Sequence, residues 1–153
     1  MAIGIYKIMK HIFLWVFAAV LLQSPASAKD EDYGDLVVSQ VTSIYDGDTF
    51  RADIQGLHPL IGSRIGIRVA GVDTPEMRGK CEKEKQLARA AKQFTVGMLR
   101  SAKRVELHNV KRGKYFRIVA DVIIDGKSLT SSLINAGHGV PYEGGSKAKN
   151  WCA

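Results

Sequence analysis

Four acidic side chains lie in two short stretches of the sequence and could bind a cation together. Asp46 and Asp48 flank a glycine, and Asp73 and Glu76 flank a Thr-Pro pair. If the two stretches meet in space, a hard cation with oxygen ligands, Ca²⁺ or Mg²⁺, would relieve the repulsion between the carboxylates. A plain turn is the alternative for Asp46-Gly47 taken alone. An EF-hand is excluded, because position 12 of a loop that begins at Asp46 is a leucine.

An arginine near these acids could bind an anion. Arg68 lies inside the apolar run 65–70, where a charged side chain is costly unless it is paired. If Ile67 and Val69 point into the core, Arg68 points to the other side of the strand that leads to Asp73, and could project over the acids. An arginine that faces the solvent is the alternative.

The stretch from Lys114 to Arg117 offers a second anion site at the start of a predicted strand. Arg117 could present a planar guanidinium to a phosphate, and Tyr115 could stack or donate a hydrogen bond beside it. Solvated charges at the start of a strand are the alternative.

Hydrophobic periodicity predicts the elements that must position these side chains. Residues 36–45 and 49–54 are rich in β-branched residues and are joined by an Asp-Gly pair, which predicts a hairpin. A third strand is predicted at about 64–72. It is followed by an amphipathic helix at about 82–99, in which apolar residues recur every three or four positions.

Two more strands and a short helix complete the predicted fold. The strands are expected at 104–109 and 117–124, and the helix has Ser128 as its N-cap and Gly137 as its stop signal. Together these elements predict a mainly β domain with added helices (α+β), a five-stranded OB-type Greek-key barrel. Such barrels often bind nucleic acid, but a fold alone does not establish function.

In this order and on these predicted elements, the motifs resemble the staphylococcal nuclease (thermonuclease) family. The similarity extends from about Val41 to Tyr142. It rests on Asp46-Gly47-Asp48-Thr49, Arg68 with Asp73-Thr74-Pro75-Glu76, and Tyr115-x-Arg117. Each motif alone is weak, whereas the ordered set is specific.

The resemblance implies a calcium-dependent nuclease that hydrolyses phosphodiester bonds of DNA and RNA with low sequence specificity and leaves 3′-phosphates. It implies Arg68, Glu76 and Arg117 as catalytic residues, Asp48, Asp73 and the main-chain carbonyl of Thr74 as Ca²⁺ ligands, and Lys114, Tyr115 and Tyr142 as substrate contacts. Glu76 would orient or deprotonate the attacking water, and the two arginines would offset the charge of the transition state. A monomer is expected.

Three features depart from the family pattern. Phe116 stands where the family often has glycine, which would narrow the pocket or change base preference. The segment 55–63 looks longer than in the namesake of the family, which bears on substrate access. After Trp151 the sequence has little room for the long C-terminal helix of the family.

Cys81 and Cys152 are the only two cysteines, and export would carry them into an oxidising compartment where pairs usually close. One disulfide is therefore predicted, and two buried free thiols are the alternative. The bond would close a loop of about 70 residues, stabilise the fold by roughly 4 kcal/mol, and hold the tail against the start of the first helix.

Residues 1–28 are typical of a secretory signal peptide. Lys7 and Lys10 precede an apolar stretch at 12–22, and Ala26-Ser27-Ala28 is typical of a cleavage site. The apolar stretch is too short for a membrane anchor, which needs roughly 20 residues. We predict cleavage after Ala28 and a single domain at 29–153 with its core at about 36–145. The expected location is periplasmic or secreted, without stable membrane association.

The charge of the chain favours an anionic partner. The whole sequence carries a formal charge of +7, and residues 29–153 carry +5. A basic protein attracts polyanions, although a basic surface also serves solubility. A rival prediction is a catalytically inactive OB-type module that binds nucleic acid or a protein. A pure binding face would gain little from clustered acids that repel phosphate.

Overall fold

The structure is a computed structural model that describes residues 32–147 and 149–153. The signal peptide predicted over residues 1–28 lies outside the described residues. The described residues form eight strands: β1 Leu36–Ile44, β2 Thr49–Ile54, β3 Ile65–Val69, β4 Val72–Asp73, β5 Val105–Arg112, β6 Arg117–Ile124, β7 Lys127–Ser128 and β8 Val140–Pro141. The same part of the chain forms three α-helices: α1 Pro59–Gly62, α2 Glu82–Ser101 and α3 Leu129–Asn135.

Five of the strands close into a mixed barrel, as the sequence predicted. Their order is β3-β2-β1-β5-β6, and β6 closes the barrel by pairing with β3. The pairing of β3 with β6 is parallel, and the other four pairings are antiparallel. The parallel closure joins the strand that leads to Asp73 to the strand that begins at Arg117.

The alternation of residues along β3 separates the core from the outer face of the barrel. Ile65, Ile67 and Val69 are buried in the core, as predicted. Because side chains alternate along a strand, Gly66 and Arg68 lie on the outer face.

The two longer helices follow the predicted pattern closely. α2 begins after Cys81, whose Sγ accepts a hydrogen bond from the backbone N of Glu84, and it ends at Ser101, slightly beyond the predicted end. Ser128 is the N-cap of α3, as predicted. Gly137 lies just beyond α3 with a φ of 73°, a left-handed conformation that suits glycine. No helix among the described residues has the length and apolar character needed to cross a bilayer.

The third strand is shorter than the predicted span 64–72. It stops at Val69, because Gly71 adopts a φ of 74° and turns the chain. The two residues that follow form β4, which pairs with β8 instead of the barrel. The break places Asp73 at a corner near the C-terminal part of the chain.

Two short helical segments were not predicted. The segment 55–63 contains α1, and His58 caps this helix by accepting a hydrogen bond from Leu60 N. Lys114, Tyr115 and Phe116 form a 3₁₀ turn, and β6 begins directly after it at Arg117, as the predicted strand 117–124 does.

The structure contains a disulfide between Cys81 and Cys152, with 6.0 Å between their Cα atoms. It joins the tail to the N-terminus of α2. Lys83 Nζ also donates a hydrogen bond to the carbonyl oxygen of Ala153. The tail therefore lies against the start of α2, beside the corner that carries Asp73 and Glu76.

Candidate active site

The turn between β1 and β2 is fixed against α2. The carbonyl oxygen of Gly47 accepts a hydrogen bond of 2.6 Å from the buried hydroxyl of Thr95. A Cβ atom at Gly47 would lie 2.9 Å from the side chains of both Ala91 and Thr74, closer than real carbon contacts allow. Only glycine fits at position 47, because α2 and Thr74 approach so closely. The turn is therefore held in place, and so are Asp46 and Asp48 on either side of the glycine.

Asp48 joins this turn to the corner after β3. Its Oδ2 accepts hydrogen bonds from the backbone N and the Oγ1 of Thr74, both at 2.9 Å. Asp48, Asp73 and Thr74 are all almost fully buried, with 2–4% of their surface exposed. The two acidic stretches, whose meeting the sequence left open, are thus in direct contact.

The guanidinium of Arg68 lies over these acids. Its Nη1 is 2.8 Å from Asp48 Oδ2, and its Nη2 is 3.9 Å from Asp73 Oδ1. It also donates hydrogen bonds to the carbonyl oxygens of Val69 and Val72. Only 15% of the Arg68 side chain is exposed, so the charge faces the acid cluster and not the bulk solvent.

Asp46 adds a further carboxyl group to the cluster. It is buried, and its Oδ1 accepts a hydrogen bond of 3.1 Å from Asp48 N. Burial, reinforced by the negative charge of Asp48, raises the pKa of Asp46 to about 7. The raised pKa therefore follows first from burial and only second from the nearby charge of Asp48.

Glu76 lies at the exposed edge of the cluster with Lys147. Lys147 Nζ is 2.7 Å from Asp73 Oδ1 and also donates a hydrogen bond to Glu76 Oε1. Partial burial opposes protonation of Lys147, but the hydrogen bonds to Asp73 and Glu76 outweigh it and raise the pKa of the lysine. Lys147 was not predicted as a site residue, because nothing in the sequence of the tail distinguishes it from Lys149.

Glu84 is a second residue near the site that the sequence pattern did not predict. It is buried, and its Oε2 accepts a hydrogen bond of 2.8 Å from Lys80 N. This bond, together with a longer one from Glu76 N at 3.4 Å, ties the loop after the acid cluster to α2. Through these two hydrogen bonds, Glu84 fixes the loop that contains Glu76 to the start of α2.

The side chain of Arg117 projects from the same outer face of the barrel as that of Arg68. In the parallel pair of β3 and β6, Arg117 is opposite Gly66, and Arg68 is opposite Val119. The Cα atoms of the two arginines are therefore about 8 Å apart, given the usual rise and spacing of strands. A Cβ atom at Gly66 would lie 2.9 Å from Arg117 Cγ, so this glycine makes room for the arginine.

A cavity of about 610 Å³ lies beside Arg117 on the outer face of the barrel. Its lining includes four cationic side chains, Arg51, Arg64, Lys92 and Arg117, and no acidic one. The buried Nε of Arg117 has no hydrogen-bond partner among the described residues. Such a wall favours an anionic ligand, because four positive charges line it and one N–H donor is still unused.

Apolar side chains form the rim of the same cavity. Tyr115 and Phe116 are 92% and 59% exposed, and Leu60 of α1 is 83% exposed. The guanidinium of Arg112 lies 5.5 Å from the centre of the Phe116 ring. Phe116 and the segment 55–63 with α1, where the sequence was expected to depart from the family pattern, thus border one cavity.

The remaining predicted substrate contacts are more scattered. Lys114 is exposed at the start of the 3₁₀ turn. Tyr142 is half-buried, and its hydroxyl donates a hydrogen bond of 2.6 Å to the carbonyl oxygen of Gly145. The structure does not place Tyr142 in the lining of the cavity that Tyr115 borders.

The acid cluster has the donor chemistry of a hard-cation site. Asp48, Asp73 and Glu76 supply carboxylate oxygens, and Asp73 and Glu76 already hold the ammonium group of Lys147 between them. Among the described residues, the group whose candidate ligand atoms all lie within 4.8 Å of one another is a different one, Cys81, Cys152 and Glu84. Its two sulfurs form the disulfide and offer no thiolate.

Comparison with known protein families agrees with the geometry. A family described as staphylococcal nuclease homologues matches residues 66–150, more than half of the chain. The match covers Arg68, Asp73, Glu76 and Arg117, whereas Asp48 precedes it and joins the site through the contacts described above. No individual curated protein matches the sequence. The chain therefore belongs to the staphylococcal nuclease family.

Proposed function

We propose that this protein is a calcium-dependent nuclease that hydrolyses phosphodiester bonds of DNA and RNA with little sequence preference and leaves 3′-phosphates. One observation carries the proposal: two arginines from adjacent strands leave the same face of the barrel, and one of them lies over buried carboxylates. A phosphodiester bound between the arginines would have an acid cluster beside it. A nuclease needs both kinds of group, since the phosphate must be neutralised and a water must be activated.

The arginines bind the substrate and offset its charge. A phosphodiester repels an attacking hydroxide, and this repulsion increases as charge builds up in the five-coordinate transition state. Arg68 and Arg117 would oppose it with two positive guanidinium groups in a partly buried site. The buried Nε–H of Arg117 has no hydrogen-bond partner among the described residues, so the guanidinium keeps a donor that a bound phosphate oxygen would satisfy.

Glu76 is the proposed general base. Its side chain is about half exposed, so water reaches it, and it lies on the same corner as Asp73. It would accept the proton of the attacking water, a role that typically contributes about 10²- to 10⁴-fold to the rate. Pro75 between Thr74 and Glu76 limits the freedom of this corner.

Asp48, Asp73 and the main-chain carbonyl of Thr74 would hold the calcium ion. When bound, the ion supplies positive charge that offsets the negative charge of the reacting phosphate. The buried carboxylates of Asp48 and Asp73, which lie on either side of the guanidinium of Arg68, support this assignment.

The cavity beside Arg117 provides a path for the substrate strand. Its cationic wall suits the sugar-phosphate backbone, and the exposed rings of Tyr115 and Phe116 suit stacking with bases. Both contacts are independent of sequence, which is consistent with low specificity and with activity on DNA and RNA. We further propose that the protein is a monomer that acts in the periplasm or outside the cell, as the predicted signal peptide and the disulfide suggest.

A digestion assay tests the proposal. Plasmid DNA and RNA are incubated with the protein in Ca²⁺, in Mg²⁺ and in excess chelator. We expect cleavage in Ca²⁺ only, with products that carry a 3′-phosphate. A gel shift without cleavage under all three conditions would instead favour a binding module.

Substitutions at two site residues separate catalysis from folding. We expect Glu76→Gln and Arg117→Ala each to lower the cleavage rate by orders of magnitude, because each removes a group that acts on the transition state. Initial rates on a labelled oligonucleotide and thermal unfolding measure activity and fold together. Glu143→Gln and Arg100→Ala, which change exposed residues of the same types, should leave both unchanged. Near-wild-type rates in both site variants would refute the mechanism.

A further inference from the structure

The position of Lys147 has a consequence for cation binding. Its ammonium group touches Asp73 Oδ1 at 2.7 Å, and it also bonds Glu76. Asp73 is one of the residues assigned above as a calcium ligand. The lysine therefore uses the oxygen atom of a proposed ligand, and does so from the solvent-facing side of the cluster.

A calcium ion and this ammonium group cannot both use Asp73 Oδ1 without cost. Calcium binds oxygen at about 2.3–2.6 Å, so the two positive charges would lie within a few ångströms of each other and would repel. Binding of the ion therefore requires the lysine to withdraw. The carboxylates it leaves are then neutralised by the ion.

The disulfide keeps the lysine near the cluster. Glu76 and Cys81 are five residues apart, and Lys147 and Cys152 are also five residues apart. The disulfide joins these two short segments, so that a short covalent path through the bond connects Lys147 to Glu76. This linkage raises the effective concentration of the ammonium group at Asp73 and Glu76.

We propose that Lys147 is an intramolecular competitor for the cation site, tethered by the Cys81–Cys152 disulfide, and that it sets the calcium concentration at which the site loads. The inference rests on the proposed function for the identity of the ion. It adds a residue that the family resemblance did not assign. It also links the redox state of the disulfide to metal affinity.

Calorimetric titration of the protein with CaCl₂, without substrate, tests the competition. We expect Lys147→Met to lower the Kd for Ca²⁺ by about tenfold or more, because the ion no longer displaces an ammonium group. Lys149→Met is the matched control: it lies two residues away on the same tail, and its ammonium group lies 5.6 Å from the Trp151 ring centre. It should leave the Kd unchanged.

Thermal unfolding gives a second readout that does not depend on activity. Without metal, Lys147→Met should melt at a lower temperature than the wild type, because the carboxylates lose a counter-charge. Added Ca²⁺ should raise its melting temperature by more than it raises that of the wild type. Equal shifts in the two proteins would contradict the proposal.

A double-mutant comparison tests the tether. We expect the Cys81→Ser/Cys152→Ser variant to bind Ca²⁺ more tightly than the wild type. The serine at position 81 can still act as the N-cap of α2. In this background, Lys147→Met should tighten binding by a smaller factor than it does when the disulfide is present. An equal factor in both backgrounds would overturn the role of the disulfide.

The possible outcomes distinguish this inference from the proposed function. An unchanged or weaker Kd for Lys147→Met, with measurable Ca²⁺ binding in the wild type, overturns the competition and leaves the nuclease proposal intact. No detectable Ca²⁺ binding in either protein overturns the calcium site itself, and the competition with it.

Discussion

At the scale of single residues, Asp46 shows how burial and charge oppose each other in the site. Its carboxyl group is buried and faces Asp48, so that its pKa rises from an ordinary value of 3.8 to about 7. In the unfolded chain the same group is ionised at any pH well above 4. Folding therefore takes up a proton in the range between these values, and the ionised group opposes folding above pH 7.

This shift predicts the pH dependence of one substitution. In chelator, Asp46→Asn should raise the melting temperature by several degrees at pH 8, where the wild-type carboxylate is charged when folded. Near pH 4 the effect should largely vanish, because the folded wild-type group is then neutral. Thermal unfolding at a series of pH values measures the effect, with Glu143→Gln as an exposed control. A gain of the same size at pH 4 and pH 8 would contradict the assignment.

At the scale of elements, the site depends on how α2 fixes the turn between β1 and β2. The hydroxyl of Thr95, in the middle of the helix, donates to the carbonyl of Gly47, and both groups are buried. The helix was predicted from its apolar periodicity, but this polar contact to a turn 48 residues away was not. It couples the position of Asp48 to the packing of a helix that carries none of the proposed catalytic residues.

The contact predicts a difference between two substitutions of one residue. Thr95→Val keeps the shape of the side chain but leaves the Gly47 carbonyl without its donor, which should cost about 1–3 kcal/mol of unfolding free energy. Thr95→Ser keeps the hydroxyl and should cost less. Urea denaturation measures both. Equal losses in the two variants would show that the hydrogen bond does not support the turn.

At the scale of the whole molecule, the barrel and the disulfide together assemble the site. Closure of β3 onto β6 places the two arginines on one face, and the disulfide spans 71 residues to bring the tail to the start of α2. The described chain after β8 contains no long helix that could anchor the tail by packing. The covalent bond takes this role.

Loss of the disulfide should therefore lower global stability. The bridge across 71 residues lowers the entropy of the unfolded chain. Removing it restores that entropy and should lower the free energy of unfolding by about 4 kcal/mol. Urea denaturation with and without a reducing agent measures this for the wild type, and the Cys81→Ser/Cys152→Ser variant should not respond to the reductant. Free thiols at both positions in a non-reducing mass map would refute the pairing in solution.

Local features of the sequence determined the type and order of the main elements and the fold family. Alternation along β3, the three- and four-residue spacing in α2, and the N-cap at Ser128 each depend on a few neighbouring residues, and therefore can be read directly. The acidic and basic motifs could also be recognised, because their order along the chain is specific. The location of Arg68 on the outer face followed from the same alternation.

Only the tertiary structure decided how these parts meet. The break after Val69, the placing of Arg117 over Gly66, and the approach of Lys147 to Asp73 and Glu76 are set by barrel closure and by a bridge to the tail. Such contacts join residues that lie far apart in the chain. The free energy that selects them comes from packing and electrostatics in the assembled fold. No local sequence pattern therefore encodes them.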